Sequence, residues 1–206
     1  MSDSIDLIVK LIPLFPLMAV LVNGLFGHRY SHDLAHRFAW GSVLMSFLCV
    51  LAVFTETLRT GAAREVIAYK WIFGGDLTIN LAYLIDPLTC IMLLVITGVG
   101  FLIHVYSVGY MHGETGFTRF FVYMNLFMVS MLLLVMGNNY VVLFIGWEGV
   151  GLCSYLLIGY YYDKVSAAKA ATKAFVVNRI GDAGFLLAIF LIFVNFRTLD
   201  YTQVMQ

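Results

Sequence analysis

Six stretches of the chain are apolar over enough consecutive residues to be read as membrane-spanning helices: roughly 7–26, 38–58, 87–106, 120–136, 140–161 and 170–193. Crossing the hydrocarbon core takes about 20 mostly apolar residues at the helical rise per residue. The fourth stretch is short and ends at Gly137-Asn138-Asn139, residues that favour a tight turn, so the fourth and fifth helices should form an antiparallel pair. Pro13 and Pro16 predict a bend or a late start in the first helix, because proline lacks the amide donor and crowds the preceding turn. Asp86-Pro87 reads as a helix N-cap followed by proline at the first helical position, where a missing N–H costs nothing.

The long connection between the second and third helices changes period. "VIAYKWIF", then "GGD", then "LTINLAYLI" places two β-prone runs around a glycine turn, which predicts an extramembrane hairpin over about 67–85. The other connections, "GHRYSHDLAHR", "GYMHGETGFTR" and "YDKVSAAKAATK", are short and polar. The expected architecture is therefore all-α: a polytopic transmembrane bundle of six spans with a small β-hairpin, forming one membrane domain over 1–206.

Composition supports that reading. The chain is 62% hydrophobic and 12% charged, whereas a soluble domain is about 25% charged. Lipid must be its main solvent, and a formal net charge of zero argues against a nucleic-acid partner. Asp3 and Asp6 precede the first apolar run, where a signal peptide would carry positive charge, so this segment is expected to remain as a helix. Cys49, Cys90 and Cys153 form no CxxC pair and no Cys/His cluster with metal-site spacing, and read as packing residues. His28, His32 and His36 recur at helical spacing but read as part of a solvated inner loop. Arg29, Arg37, Arg119, Lys164, Lys169 and Lys173 outnumber Arg59, Arg64, Lys70 and Arg197 on the opposite side. By the positive-inside rule the amino terminus is then expected outside.

Within this apolar background a few charges stand out. Glu148, in "LFIGWEGVGLCSYLLIGYYY", lies ~12 Å from one end of its helix and ~20 Å from the other. An acidic residue at that depth costs roughly 2.5–3.5 kcal/mol to insert. Gly146, Gly149, Gly151, Cys153 and Ser154 surround it and would let a neighbouring backbone approach, so Glu148 is expected at a tight helix–helix contact. In the sixth helix "KAFVVNRIGDAGF" puts Asn178, Arg179 and Asp182 on one face at i, i+1 and i+4. Lys173 points away from Asp182, near the inner end. Acidic groups at mid-depth on two helices, with a cation beside them, are what a proton relay requires. A purely structural alternative is an Arg179–Asp182 ion pair with Glu148 hydrogen-bonded or protonated. His104, in "FLIHVYSVGYMH", titrates in a suitable range and is either a further relay group or an interfacial packing residue beside Tyr106 and Tyr110. Trp40, Trp71 and Trp147 carry no chemical signal of their own.

"GWEGVGLCSYLLIGYYY" and "KAFVVNRIGDAGF", with "YLIDPLT" and "HVYSVGYM" before them in order, carry a family resemblance. The chain resembles the L-type antiporter-like subunits of bacterial respiratory complex I, the proton-pumping NADH:quinone oxidoreductase. The resemblance implies that Glu148 is the glutamate of the amino-terminal proton half-channel, and that Asp182, Arg179 and Lys173 form the sixth-helix polar set. It implies a subunit of a translocase in the bacterial inner membrane, with a periplasmic amino terminus and an M-type subunit as neighbour. It also implies no cofactor in this chain, with NADH, FMN, iron–sulfur clusters and quinone on other subunits. Family members are much longer, with a broken seventh helix whose central lysine partners the fifth-helix glutamate, so the chain is expected to match their amino-terminal portion. Subunits of cation/proton antiporters share the Trp-Glu pair and are the alternative.

Overall fold

The structure is a computed structural model and describes residues 2–27, 29, 32–74 and 77–205. It contains α1 (Ser2–Phe26), α2 (His32–Thr60), β1 (Arg64–Gly74), β2 (Leu77–Ile85), α3 (Pro87–Tyr110), α4 (Phe117–Met136), α5 (Tyr140–Ile158), α6 (Val165–Phe196) and α7 (Tyr201–Val204). Helices α1 to α6 are each long and apolar enough to cross a membrane, so the all-α, six-span expectation holds.

The differences lie at the helix ends. α6 begins at Val165 because "SAAKAAT" is polar enough to leave the bilayer yet rich in alanine, a strong helix former. α2 begins at His32 and absorbs part of the connection read as a solvated loop. His36 consequently lies on α2, with its ring 6.1 Å from Phe117 and 6.5 Å from Phe121 of α4. It is a packed residue, not a loop one. His28 and the side chain of His32 lie outside the described residues, as does the hairpin tip at Gly75-Asp76.

α1 starts at Ser2 and runs through both prolines, so there is no late start. Pro16 has no N–H to offer the carbonyl of Ile12. The Ser46 hydroxyl of α2 donates to that carbonyl at 2.7 Å instead. In lipid no water would do so, and a freed backbone group needs a partner from a neighbouring helix.

Asp86 caps α3 as expected, accepting from the Thr89 amide at 2.6 Å, with Pro87 at the first helical position. The hairpin pairs antiparallel from Arg64↔Ile85 to Gly74↔Leu77, with register irregularities between Ile67 and Tyr69 and between Lys70 and Ile72. Its inward side chains Val66, Tyr83 and Ile85 join a core shared with α1 to α4. The α4–α5 turn docks on it: the Asn138 amide donates to the Ala82 carbonyl at 3.1 Å, and the Asn139 side chain donates to the Asn80 backbone carbonyl at 2.9 Å. Asn139 also N-caps α5.

One end of the bundle therefore holds the hairpin, the α4–α5 turn, the start of α1 (tied by an Asp6–Arg64 ion pair of 2.8 Å) and the α6–α7 segment. The opposite end holds the loops around Thr115 and Tyr160, whose hydroxyl donates to the Thr115 carbonyl at 3.0 Å. α1 to α4 pack together, α5 lies against α4, and α6 takes α5 as its main helix partner.

Candidate functional site

α5 divides its faces between two neighbours. Gly146 and Gly149 meet α4 so closely that a Cβ would lie 2.5 Å from the Leu134 amide nitrogen and 2.5 Å from the Ser130 hydroxyl respectively. Cys153, one turn on, is buried beside Ser130. The glycine-mediated approach thus belongs to α4. Glu148 lies ~200° around the helix from Gly146 and faces α6 instead. The tight contact and the carboxylate are on different sides, which sequence spacing in a uniformly apolar helix does not reveal.

The α6-facing side is a ladder of matched side chains. Tyr155 packs on Phe175 at 5.3 Å and Phe144 on Phe185 at 5.5 Å between ring centroids. Between these aromatic rungs sit the polar ones. Arg179 donates from Nη1 to Glu148 Oε2. The same Nη1 lies 3.7 Å from Asp182 Oδ2. Asp182 Oδ1 accepts from the indole Nε1 of Trp147 at 2.9 Å. The Arg179 guanidinium carbon lies 4.6 Å from the Phe175 ring centroid, a cation–π contact. Only three residues of α6 are buried, and Asp182 is one of them, with Ala171 and Ile189.

The Arg179–Asp182 ion pair of the structural alternative is therefore present, at 3.7 Å, but secondary. Arg179 reaches first across the helix contact to Glu148. Its side chain is 44% exposed, against 22% for Glu148 and 8% for Asp182. One cation stands between two carboxylates, so the cluster carries one more negative group than positive. With two acceptors in reach, the guanidinium can exchange which carboxylate it neutralises.

The other candidates stand apart. Lys173 is exposed and lines a separate cavity of about 570 Å³ with Tyr162, Lys169 and Thr172, ~14 Å along α6 from Asp182. His104 is fully buried on α3 and its Nδ1 lies 2.7 Å from the Gly100 carbonyl. Its Nε2 has no hydrogen-bond partner among the described residues, and its ring faces Phe121 of α4 at 6.4 Å. Tyr106 and Tyr110 stack on each other on the exposed side, so the interfacial packing role beside them does not apply to His104.

Trp147, read as chemically silent, is the member the sequence reasoning missed. A signal was present: Trp-Glu on one helix supplies a donor then an acceptor, and Arg-x-x-Asp on the next supplies the complements. Matching them needs the rotation of each helix about its own axis.

At the hairpin end, the Asp200 carboxyl is held above its ordinary range by burial and, secondarily, by the charge of Glu65. Burial and then the neighbouring Tyr140 push the Tyr201 phenol up.

Two families match along the chain. That described as "NADH-Ubiquinone oxidoreductase (complex I), chain 5 N-terminus" covers residues 71–121. That described as "NADH:quinone oxidoreductase/Mrp antiporter, TM" covers residues 137–206. NADH-quinone oxidoreductase subunit L of Pseudomonas aeruginosa is 44% identical over 93% of this chain and 32% of its own length. The Mycobacterium tuberculosis subunit L is 48% identical over 87% of this chain and 29% of its own length. NADH-ubiquinone oxidoreductase chain 5 of Metridium senile is 41% identical over 92% and 32%. The chain thus spans about a third of the length of the curated relatives it matches. Among solved structures, an archaeal membrane-bound sulfane sulfur reductase superimposes with a TM-score of 0.83 at 21% identity over 95% of this chain and 39% of the other. The Mrp complex of Dietzia sp. DQ12-45-1b gives 0.75 at 22% over 98% and 20%, so both show the shared fold. The fold and the subunit L and chain 5 similarities agree, and the chain belongs to this family of antiporter-like membrane subunits, corresponding to their amino-terminal part.

Proposed function

We propose that this chain supplies part of a proton path in a membrane-arm subunit of an NADH-quinone oxidoreductase. Quinone reduction on other subunits would drive proton movement across the membrane. The observation that carries the reading is the position of Arg179 between Glu148 and Asp182 in the apolar middle of α5 and α6. Buried ionisable groups in a membrane are costly and mark ion or proton pathways by default. Glu148 is the loading group in this reading, Asp182 the second acceptor and Arg179 the movable counter-charge. Lys173, at the inner end, would deliver protons toward the cluster, and His104 would serve as a separate buried titratable group on α3.

The protein acts here as a translocase subunit without a redox centre. NADH, FMN, iron–sulfur clusters and quinone belong to its partners, among them an M-type antiporter-like neighbour. It resides in the bacterial inner membrane with α1 starting at the periplasmic side. The test is proton uptake per NADH oxidised in vesicles by the complex with full-length Glu148→Gln subunit, assembly being checked on the same preparation. A steep fall in the ratio is expected. An unchanged ratio would remove Glu148 from the path.

A second reading is a subunit of a cation/proton antiporter, favoured by the match of residues 137–206 to a family shared with Mrp antiporters. It predicts sodium-dependent proton flux with no dependence on NADH or quinone.

A further inference from the structure

We propose that Trp147 is a positioning residue: its indole N–H keeps Asp182 from hydrogen-bonding to Arg179 and thereby reserves the guanidinium for Glu148. The inference rests on the proton-path reading above and adds to it the element that sets the order of pairing.

Asp182 and Arg179 are three residues apart on one helix, the spacing at which such pairs ordinarily close. Here they meet only as an ion pair at 3.7 Å from Nη1 to Oδ2, beyond hydrogen-bond distance. Asp182 Oδ1 is instead engaged by Trp147 Nε1 at 2.9 Å. The indole is itself fixed edge-on against Phe185, with centroids 6.1 Å apart and planes at 88°. A rigid neutral donor thus sets the plane of the carboxylate. Adjacent residues of α5 then grip α6 in opposite senses, Trp147 donating to the acid and Glu148 accepting from the base. Without the N–H, Asp182 is free to turn toward Arg179 and draw the guanidinium from Glu148, which would lose that counter-charge. Hydrogen bonds to charged groups are strong enough to move such a balance by about tenfold or more.

The test uses the complex with full-length subunit. Trp147→Phe keeps an aromatic ring against Phe185 and removes the donor, while Trp147→His restores a ring N–H. Protons moved per NADH oxidised should fall roughly threefold or more in Trp147→Phe, recover substantially in Trp147→His, and show no further fall when Trp147→Phe is added to Asp182→Leu. Independently, the ultraviolet resonance Raman difference between wild type and Trp147→Phe should show a hydrogen-bonded indole N–H, weakened in Asp182→Leu. A free indole N–H, a full ratio in Trp147→Phe, or additive losses in the double variant would each overturn the inference. If Glu148→Gln also pumps at the full ratio, the proton-path reading falls with it. If Glu148→Gln is inactive while Trp147→Phe pumps fully, only the role of Trp147 falls.

Discussion

Arg179 bonds to Glu148 across the α5–α6 contact while remaining 3.7 Å from Asp182 on its own helix. Removing this one cation leaves two carboxylates facing each other without compensation, whereas removing it together with Glu148 leaves one, still held by Trp147. Arg179→Gln should therefore destabilise the subunit by about 1–3 kcal/mol, the fully buried value being reduced for the partial exposure of the pair. The double variant with Glu148→Gln should be milder than Arg179→Gln alone. Thermal unfolding of the three variants in lipid nanodiscs measures this, and strictly additive losses would contradict the pairing.

The Ser46 hydroxyl serves the Ile12 carbonyl that Pro16 cannot. Ser46→Ala would leave that carbonyl unsatisfied inside the bundle and should cost about 1–3 kcal/mol. Ser46→Thr keeps a hydroxyl and should lose much less. In a Pro16→Ala background the restored amide should abolish most of the Ser46→Ala penalty. If it does not, the hydroxyl is not standing in for the proline.

Gly146 and Gly41 offer a matched comparison. A methyl at Gly146 would sit 2.5 Å from the α4 backbone, while one at Gly41 on α2 meets nothing within 4 Å. Gly146→Ala must push α5 off α4 and should lower the unfolding temperature clearly. Gly41→Ala should be neutral or stabilising by up to about 1 kcal/mol, since alanine is the better helix former. Equal effects from the two changes would mean the α4–α5 contact is looser than described.

Asp200 predicts a pH dependence at the hairpin end. Its carboxyl is raised by burial and by Glu65, so the fold favours its protonated form more than the unfolded chain does. The associated stability is present below the unfolded value and is lost as pH rises through the raised folded value. The amides of Tyr140 and Tyr201, which donate to the carbonyls of Leu199 and Asn138, report on this stitch. Their protection from hydrogen exchange, corrected for intrinsic rates, should decline as pH rises above the ordinary aspartate range. In Asp200→Asn that decline should disappear.

The two ends of the bundle give a topology prediction. A cysteine at Thr78, on the hairpin, should react with an impermeant thiol reagent from the periplasmic side, and one at Ser166 only from the cytoplasmic side. Labelling of Ser166→Cys from outside would reverse the proposed orientation.

What the sequence determined by itself is everything that depends on neighbours along the chain. Twenty or so apolar residues fix a span, Asp86-Pro87 starts a helix, and Gly137-Asn138-Asn139 turns one helix back on another, because hydropathy, capping and turn preferences are local. Glu148, Arg179 and Asp182 were legible as candidates for the same reason: a charge in an apolar run is conspicuous wherever it points. The pairing among them was decided only by tertiary structure. In lipid a helix can be apolar all round, since the surroundings are as hydrophobic as its own side chains, and the pattern then carries little information about which face meets which neighbour. Rotation of α5 turned Gly146 and Gly149 to α4 and gave Glu148 and Trp147 to α6. Rotation of α3 buried His104 while leaving Tyr106 and Tyr110 outside. Those rotations are set by backbone clearance and by the need of each buried polar group for a partner on another helix, and both exist only once the helices are packed.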